Sequence, residues 1–442
     1  MRARARAKLD PSIQTALVDD LSQEGRGIAH HDGKAVFIDD ALPGERVQWV
    51  LRKRSRNFDE GQLHSVLEPS AHRVVPRCQH FGVCGGCALQ HLEPAAQLEF
   101  KQRQLLEALV RIGAVTPKSV LPPLQAEPWH YRRRARLGAR WVAKKNRAVV
   151  GFRERSAPFL ADLQRCEVLA APASDLPAAL STLVSALSIR DRVPQIEIAV
   201  AESTMALVIR VLQPLTDADQ ALLAEFANEH QVQIYLQPGG YETVALAAGQ
   251  AVPLRYRLSK FDVELEFAPT DFVQINTRLN ELMVERAVEL LGPAVGESVL
   301  DLYCGIGNFS LPLARRAAQV VGVEGDAGLI ARARSNAQHN GLANTEFVVC
   351  DLLQPDLREA PWARRSYDKV LLDPPRAGAR EVLHIIAASG ARRLVYVSCH
   401  PATLARDAGI LVQELGFRLG AAGVMDMFPH TAHVESIAVF ER

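Results

Sequence analysis

The spacing of apolar positions changes along this chain. From Gln14 to about Leu67 they come in short β-leaning runs, Thr15–Val18, Ala35–Ile38, Arg46–Leu51 and Gly61–Val66. Turn clusters such as Glu24-Gly25-Arg26-Gly27 and Leu42-Pro43-Gly44-Glu45 divide them, a punctuation that predicts a small five-strand β-barrel. From Glu93 to Arg111 the spacing predicts a helix whose core face is Leu98, Leu105, Leu109 and Ile112. Ile196 to Leu212 and Val232 to Leu246 alternate or run apolar, which predicts antiparallel sheet.

In the last third, apolar runs too continuous for a half-exposed sheet end in residues with chemistry. Ser298–Leu302 leads into Tyr303-Cys304-Gly305-Ile306-Gly307-Asn308, a strand followed by a glycine turn. Val320–Val323 ends in Glu324, Phe347–Val349 runs into Cys350-Asp351, and Val370–Leu372 runs into Asp373-Pro374-Pro375-Arg376. Leu394–Val397 leads into Ser398-Cys399-His400-Pro401, and Phe417–Glu441 predicts two more strands, antiparallel at the end. Buried parallel strands read in this way, and ligands of such sheets bind beyond their carboxyl ends. Acids on successive strand ends around one glycine turn predict an adenosine site, with the acid at Glu324 suited to ribose hydroxyls.

Length and charge sharpen this picture. A chain of 442 residues exceeds one ordinary core, so a multidomain α/β protein is expected, divided at 1–68, 69–265 and 266–442. Residues 1–160 carry 27 Lys and Arg against 16 Asp and Glu, while the remainder carries 24 against 34. That asymmetry predicts a polyanion held by the front of the chain. The start Met1–Lys8 is read as a basic arm, and Arg52, Lys53, Arg54 and Arg56 beside Phe58 offer phosphate contacts with one stacking ring. Trp129–Arg136 is the most basic aromatic stretch, read as a strand with one charged face able to meet RNA. No apolar run approaches the roughly 18 residues of a membrane span, and no apolar stretch follows the basic start. No membrane association and a cytoplasmic location are expected.

Seven cysteines in such a chain do not form a disulfide framework. Cys78, Cys84 and Cys87 fall within ten residues, and Cys166 is available as a fourth soft ligand. Thiolate ligation suits zinc or an iron–sulfur cluster, and the spacing alone does not choose.

Three sets of motifs resemble known families. Gly25-Arg26-Gly27-Ile28-Ala29, Gly33-Lys34-Ala35-Val36-Phe37-Ile38 and Leu42-Pro43-Gly44-Glu45 resemble a TRAM domain, an RNA-binding barrel of the OB-like type. The strand-end acids resemble the Rossmann-like class I methyltransferases that use S-adenosylmethionine. Phe272-Val273-Gln274-Ile275-Asn276, the Gly305–Asn308 turn, Asp373-Pro374-Pro375-Arg376, Ser398-Cys399-His400-Pro401 and His430-Thr431-Ala432-His433-Val434-Glu435 resemble the RNA uracil-C5 methyltransferases. That family usually has asparagine where this chain has His400.

The resemblance implies a three-part fold: TRAM barrel, central β-rich domain with a four-cysteine [4Fe-4S] cluster on Cys78, Cys84, Cys87 and Cys166, and a methyltransferase domain. It implies methylation of a uridine in 23S ribosomal RNA by a monomer, with Cys399 as nucleophile and Glu435 as general base. Gln274, Tyr303, Asn308, Glu324, Asp351 and Asp373 are implied to line the S-adenosylmethionine pocket. Glu324 would take the ribose, Asp351 the adenine amino group, and Asp373 the methionine portion or target base. His430 and His433 are expected to support their loop. The alternatives are the same chemistry on transfer RNA, or a non-catalytic RNA-binding assembly factor.

Overall fold

The computed structural model describes residues 12–354 and 357–442. The basic arm Met1–Lys8 lies outside the described residues. Contacts divide the chain into two compact units. The first holds residues up to Lys101 with Glu154–Ala157 and Phe428–His433, and the second holds the rest.

In the first unit, β1 (Ile13–Leu21), β2 (Gly27–His31), β3 (Lys34–Asp39), β4 (Arg46–Arg54) and β5 (Phe58–Glu68) close into a barrel in the order β1-β2-β3-β5-β4. Alternation along these strands turns Val18, Ala29, Val36, Ile38, Val47 and Trp49 into the interior. Gly61 is required there, because a Cβ on it would stand 2.7 Å from the Trp49 ring. Below the barrel Glu45 is fully buried. Burial pushes its carboxyl up, but Arg73 and the N–H groups of Leu42 and Ser70 more than offset this and hold it below the usual range.

The helix Pro94–Arg111 forms as expected, with Leu98, Leu105 and Leu109 buried. Ile112 does not share that face: it lies past the helix end and is exposed.

The second unit begins its sheets with β6 (Ser119–Val120), β7 (Arg134–Val142), β8 (Arg147–Gly151), β9 (Gln195–Val200), β10 (Met205–Arg210), β11 (Gln233–Gln237) and β12 (Ala245–Ala248). The central sheet runs β12-β11-β10-β9-β7-β8. It is mixed rather than antiparallel throughout, because the helix Asp217–His230 carries the chain over and sets β11 parallel to β10. A capping box between Thr216 and Asp219 starts that helix. The basic stretch also differs from expectation, since its strand starts only at Arg134 and Trp129–Arg133 precede it. β13 (Leu254–Leu258) and β14 (Val263–Phe267) form a separate hairpin.

The last sheet contains β15 (Ser298–Leu302), β16 (Gln319–Glu324), β17 (Thr345–Val349), β18 (Lys369–Leu372), β19 (Arg393–Ser398), β20 (Arg418–Met425) and β21 (Glu435–Glu441). Its order is β17-β16-β15-β18-β19-β21-β20-β6. The first five strands are parallel, and β21 enters antiparallel between β19 and β20. Strand order reverses at β15, so the crevice beyond Leu302 and Leu372 is the switch point where such sheets take ligands. Among the described residues no helix is long and apolar enough to cross a membrane.

Candidate active site

The turn after β15 is shaped for a ligand. Tyr303 adopts φ +63° and Gly305 φ +55°, and the Tyr303 and Cys304 N–H groups both reach the Val323 carbonyl, at 2.8 and 3.1 Å. A Cβ on Gly305 would meet nothing within 4 Å, so its backbone borders open space. Glu324, at the end of β16, accepts from the Gly305 N–H at 3.3 Å through one oxygen. Its other oxygen takes the Gly325 and Asp326 N–H groups, at 2.7 and 3.1 Å. A carboxylate has about four acceptor positions, so capacity for ribose hydroxyls remains. The Tyr303 hydroxyl is buried without a hydrogen-bond partner. An open cradle, an acid at its rim and an orphaned phenol fit an adenosyl cofactor.

Other expected pocket residues are placed differently from one another. Gln274 Nε2 stands 3.5 Å from Asp373 Oδ2. Asn308 is tied into a side-chain network, exchanging two 2.9 Å hydrogen bonds with Asn280 and accepting a third from the Tyr256 hydroxyl. Asp351 does not end its strand: β17 stops at Val349, and the exposed carboxylate accepts from the Leu353 N–H and Gln354.

The expected nucleophile and base lie two strands away. Cys399 follows β19 and Glu435 begins β21, whose register pairs Ser398 with Ser436. Continuing that register sets Cys399 opposite Glu435. Asp373, just past β18, completes the group, and Arg376 adds a cation. Burial, then the Glu435 and Asp373 carboxyls, push the Cys399 thiol up to about 11, while Arg376 pulls it down. Glu435 is 3% exposed, and burial together with Asp373 drives its carboxyl well above the usual range, against Arg376. Burial raises Asp373 to about 7. Burial and the neighbouring carboxyls thus favour the neutral forms of both the thiol and Glu435 at this edge, and Arg376 opposes them.

His400 is the N-cap of the helix Pro401–Gln413, its Nδ1 accepting from the Thr403 N–H at 3.4 Å. Burial and Arg376 lower its pKa, which favours the neutral ring needed for Nδ1 to accept. Asparagine, usual in the family, is a favoured N-cap, so histidine fills the same structural position.

Sequence reasoning missed Asp301, a fully buried acid within β15. Ser310 donates to its Oδ2 at 2.5 Å while Oδ1 has no partner, and burial, assisted by Asp373 and Glu324, raises it to about 7. A charged residue inside the apolar run Val299–Leu302 was the available signal.

The cysteine loop is held by its backbone. Cys78 N–H donates to Gln90 at 3.1 Å, Cys84 pairs with Glu154, and Arg155 donates to the Cys87 carbonyl at 2.8 Å. The Gly86 N–H points at the Cys84 sulfur at 3.4 Å. Cys166 is buried in the second unit, its N–H on the Ser174 carbonyl. The donors are soft, as iron and sulfide require, yet among the described residues no three His, Cys, Asp or Glu side chains are gathered to hold a metal ion.

The expected RNA contacts divide. Arg54 and Arg56 are exposed, whereas Arg52 donates to Ser156 and Lys53 pairs with Glu60. Phe58 packs edge-on against Phe37 at 5.3 Å and is not an open stacking platform. Arg133 donates to the Ala201 carbonyl and Arg134 to the Pro269 carbonyl, so these two support the fold. Arg136 remains more than half exposed, held by Glu197 and Tyr241. In the His430–Glu435 segment, the His430 N–H donates to Gln97 at 2.9 Å, its carbonyl accepts from the Ala88 and Leu89 N–H groups, and its Nδ1 lies 3.3 Å from Gln97 Nε2. These contacts hold the His430 backbone in its loop.

Residues 94–442 match the tRNA (Uracil-5-)-methyltransferase family, and residues 11–63 match the TRAM domain. The chain is 52% identical to 23S rRNA (uracil(1939)-C(5))-methyltransferase RlmD of Stenotrophomonas maltophilia (strain K279a), over the full length of both. It is 54% identical to the RlmD of Xylella fastidiosa (strain Temecula1), over 98% of each. Its fold is shared with the tRNA (uracil-54, C5)-methyltransferase of Pyrococcus abyssi, solved with S-adenosyl-L-homocysteine, at TM-score 0.74 and 24% identity over 96% of this chain and 99% of that one. The chain, with a TRAM barrel ahead of its methyltransferase fold, belongs to the S-adenosylmethionine-dependent uracil-C5 methyltransferase family.

Proposed function

We propose that this enzyme methylates carbon 5 of a uridine in 23S ribosomal RNA, through a temporary bond from Cys399 to carbon 6. The observation that carries the reading is the placement of Cys399, one position past the Ser398–Ser436 register pair, near Glu435 at the start of β21 and near Asp373. Carbon 5 of uracil is a poor nucleophile; addition of the Cys399 thiolate to carbon 6 converts it into an enolate. S-adenosylmethionine, when bound, supplies the electrophilic methyl group. Glu435 then removes the carbon 5 proton, the C6–S bond breaks, and the thiolate returns. The target base must leave its stack to reach this edge.

In this reading Glu324 holds the ribose, Asp351 the adenine amino group, and Tyr303 and Gln274 border the cofactor. Asn308 offers its second amide N–H, and Asp373 faces the methionine portion or the uracil. The segments divide as 1–68 for RNA binding, 69–265 for the cysteine loop and central sheet, and 266–442 for methyl transfer. The 52–54% identity to RlmD proteins supports 23S over transfer RNA. A monomeric cytoplasmic enzyme is part of the proposal.

A [4Fe-4S] cluster on Cys78, Cys84, Cys87 and Cys166 rests on donor chemistry alone, and no step of the reaction passes through it. Anaerobically purified protein that is brown, with iron and sulfide, supports it; colourless protein holding only zinc overturns it.

The decisive experiment is 5-fluorouracil-substituted 23S ribosomal RNA fragment with S-adenosylmethionine. Wild type should form a covalent adduct that Cys399→Ala abolishes. Absence of adduct with wild type overturns the mechanism. Adduct on a transfer RNA substrate but not on the 23S fragment overturns the substrate.

A further inference from the structure

The segment Asp373–Gly378 carries two groups that act on Cys399, the Asp373 carboxyl and the Arg376 guanidinium. Asp373 is fixed by its position at the end of β18, its N–H on the Leu302 carbonyl at 3.3 Å. Arg376 lies three residues further, on a turn closed by Gly378 N–H to the Pro375 carbonyl at 2.9 Å. Two prolines stiffen the turn but do not aim it.

What aims it is the helix Pro401–Gln413, which also begins at the reacting thiol. Asp407 on this helix is fully buried. Its Oδ2 accepts from the Ala379 N–H at 2.8 Å and the Tyr396 hydroxyl at 2.7 Å. Its Oδ1 accepts from Arg406, whose guanidinium continues to the Ala377 carbonyl at 2.9 Å. Gly378 fits between them only as glycine: at φ +86°, a Cβ would lie 2.5 Å from Arg406 and 2.6 Å from Asp407. One turn earlier, Thr403 abuts Gly378 and its hydroxyl bonds the His400 carbonyl at 3.1 Å. His400, Thr403, Arg406 and Asp407 are spaced by three and four residues, so they share one helix face. That face grips the Cys399 turn at one end and the Ala377–Ala379 backbone at the other.

We propose that Arg406 and Asp407 are positioning residues for the thiol reaction, a pair whose grip on Ala377–Ala379 holds Arg376 at its working distance from Cys399. The inference rests on Cys399 being the nucleophile, and neither residue touches substrate. Loss of the grip moves a cation away from a developing thiolate, which disfavours the charged form. Ordinary loosening of the fold has the opposite signature, since it exposes a half-buried thiol.

The test is the alkylation rate of Cys399 by iodoacetamide at pH 8, read on the peptide containing it by mass spectrometry, with melting temperature in parallel. Arg376→Gln should slow alkylation about tenfold, the consequence of an upward shift of about one unit. Arg406→Gln, at a partly exposed position, should slow it in the same direction with little loss of melting temperature. Tyr396→Phe, which removes a bond on the strand side of Asp407 but none to the turn, should lower the melting temperature without slowing alkylation. The proposal is overturned if Arg406→Gln alkylates at the wild-type rate or faster, or if Arg376→Gln does not slow it. Adduct formation on fluorinated RNA is scored separately, so failure of the nucleophile and failure of the positioning pair give different results.

Discussion

Ser398 and Ser436 are the last register pair of β19 and β21, and the Ser436 hydroxyl donates to the Ser398 carbonyl at 3.0 Å. This bond ties together the backbones that carry the thiol and the carboxyl of the next pair. Cys399 and Glu435 come from chain segments more than thirty residues apart, but their relative placement is a property of one antiparallel ladder.

Glu435 is pushed well above the ordinary carboxyl range, chiefly by burial. A base must be ionised, so methyl transfer in the wild type should rise with pH above the ordinary carboxyl range. Glu435→Gln should trap adduct on unfluorinated RNA with turnover reduced at least a hundredfold, about the low end of general-base effects. Gel-resolved adduct and tritium release from carbon 5 check this, and full turnover removes Glu435 from the mechanism.

Asp301 is raised by burial to about 7. A carboxyl whose folded value lies above its unfolded value binds protons more tightly in the folded state. The stability this contributes is fully present below about pH 4 and is lost as pH rises through about 7. Asp301→Asn keeps an acceptor for Ser310 and cannot ionise. Its melting temperature should fall less than that of wild type between pH 5 and pH 8; parallel curves would count against an acid held protonated.

For His400 the cap geometry leads to a substitution that should be tolerated. His400→Asn keeps an N-cap acceptor and should retain both melting temperature and turnover. His400→Ala leaves the Thr403 N–H without its acceptor and should cost about 0.5–1 kcal/mol by chemical denaturation. Equal stability of the two variants would show that the 3.4 Å contact contributes nothing.

Gly305 and Glu324 test the cofactor cradle. A methyl group at Gly305 would enter the open space beside the turn in a left-handed conformation, so Gly305→Ala should weaken S-adenosylmethionine binding and cost about 1 kcal/mol of stability. Glu324→Gln should weaken binding roughly tenfold, about the value of one charged hydrogen bond, while Gly305 keeps an acceptor. Calorimetric titration of cofactor into each variant decides; wild-type affinity in both would place the cofactor elsewhere.

Much of this was legible in the sequence because it is local. Continuous apolar runs ending in Glu324, Asp373 and Cys399 announce buried parallel strands, and alternation between Gln14 and Leu67 announces the barrel. What stayed hidden depends on partners far along the chain. β6 is two residues long and is a strand only because it pairs with Ala421 and Ala422 of β20. The parallel pairing of β10 and β11 follows from a helix between them that apolar spacing alone did not reveal. Asn308 is read as a ligand residue in a glycine turn, but its side chain is engaged by Asn280 and Tyr256, which no spacing foretells. The basic stretch misled because charge in a sequence does not distinguish an arginine facing solvent from Arg134, bonded to Pro269.

The antiparallel entry of β21 has a consequence for how this enzyme tolerates change. In a ladder of period two, a slip of a single position against β19 would turn Glu435 to the opposite side of the sheet while leaving every backbone hydrogen bond makeable. Such a slip would also turn over the buried Ile437, Val439 and Phe440, so the core packing that fixes this strand is what keeps the acid beside the thiol.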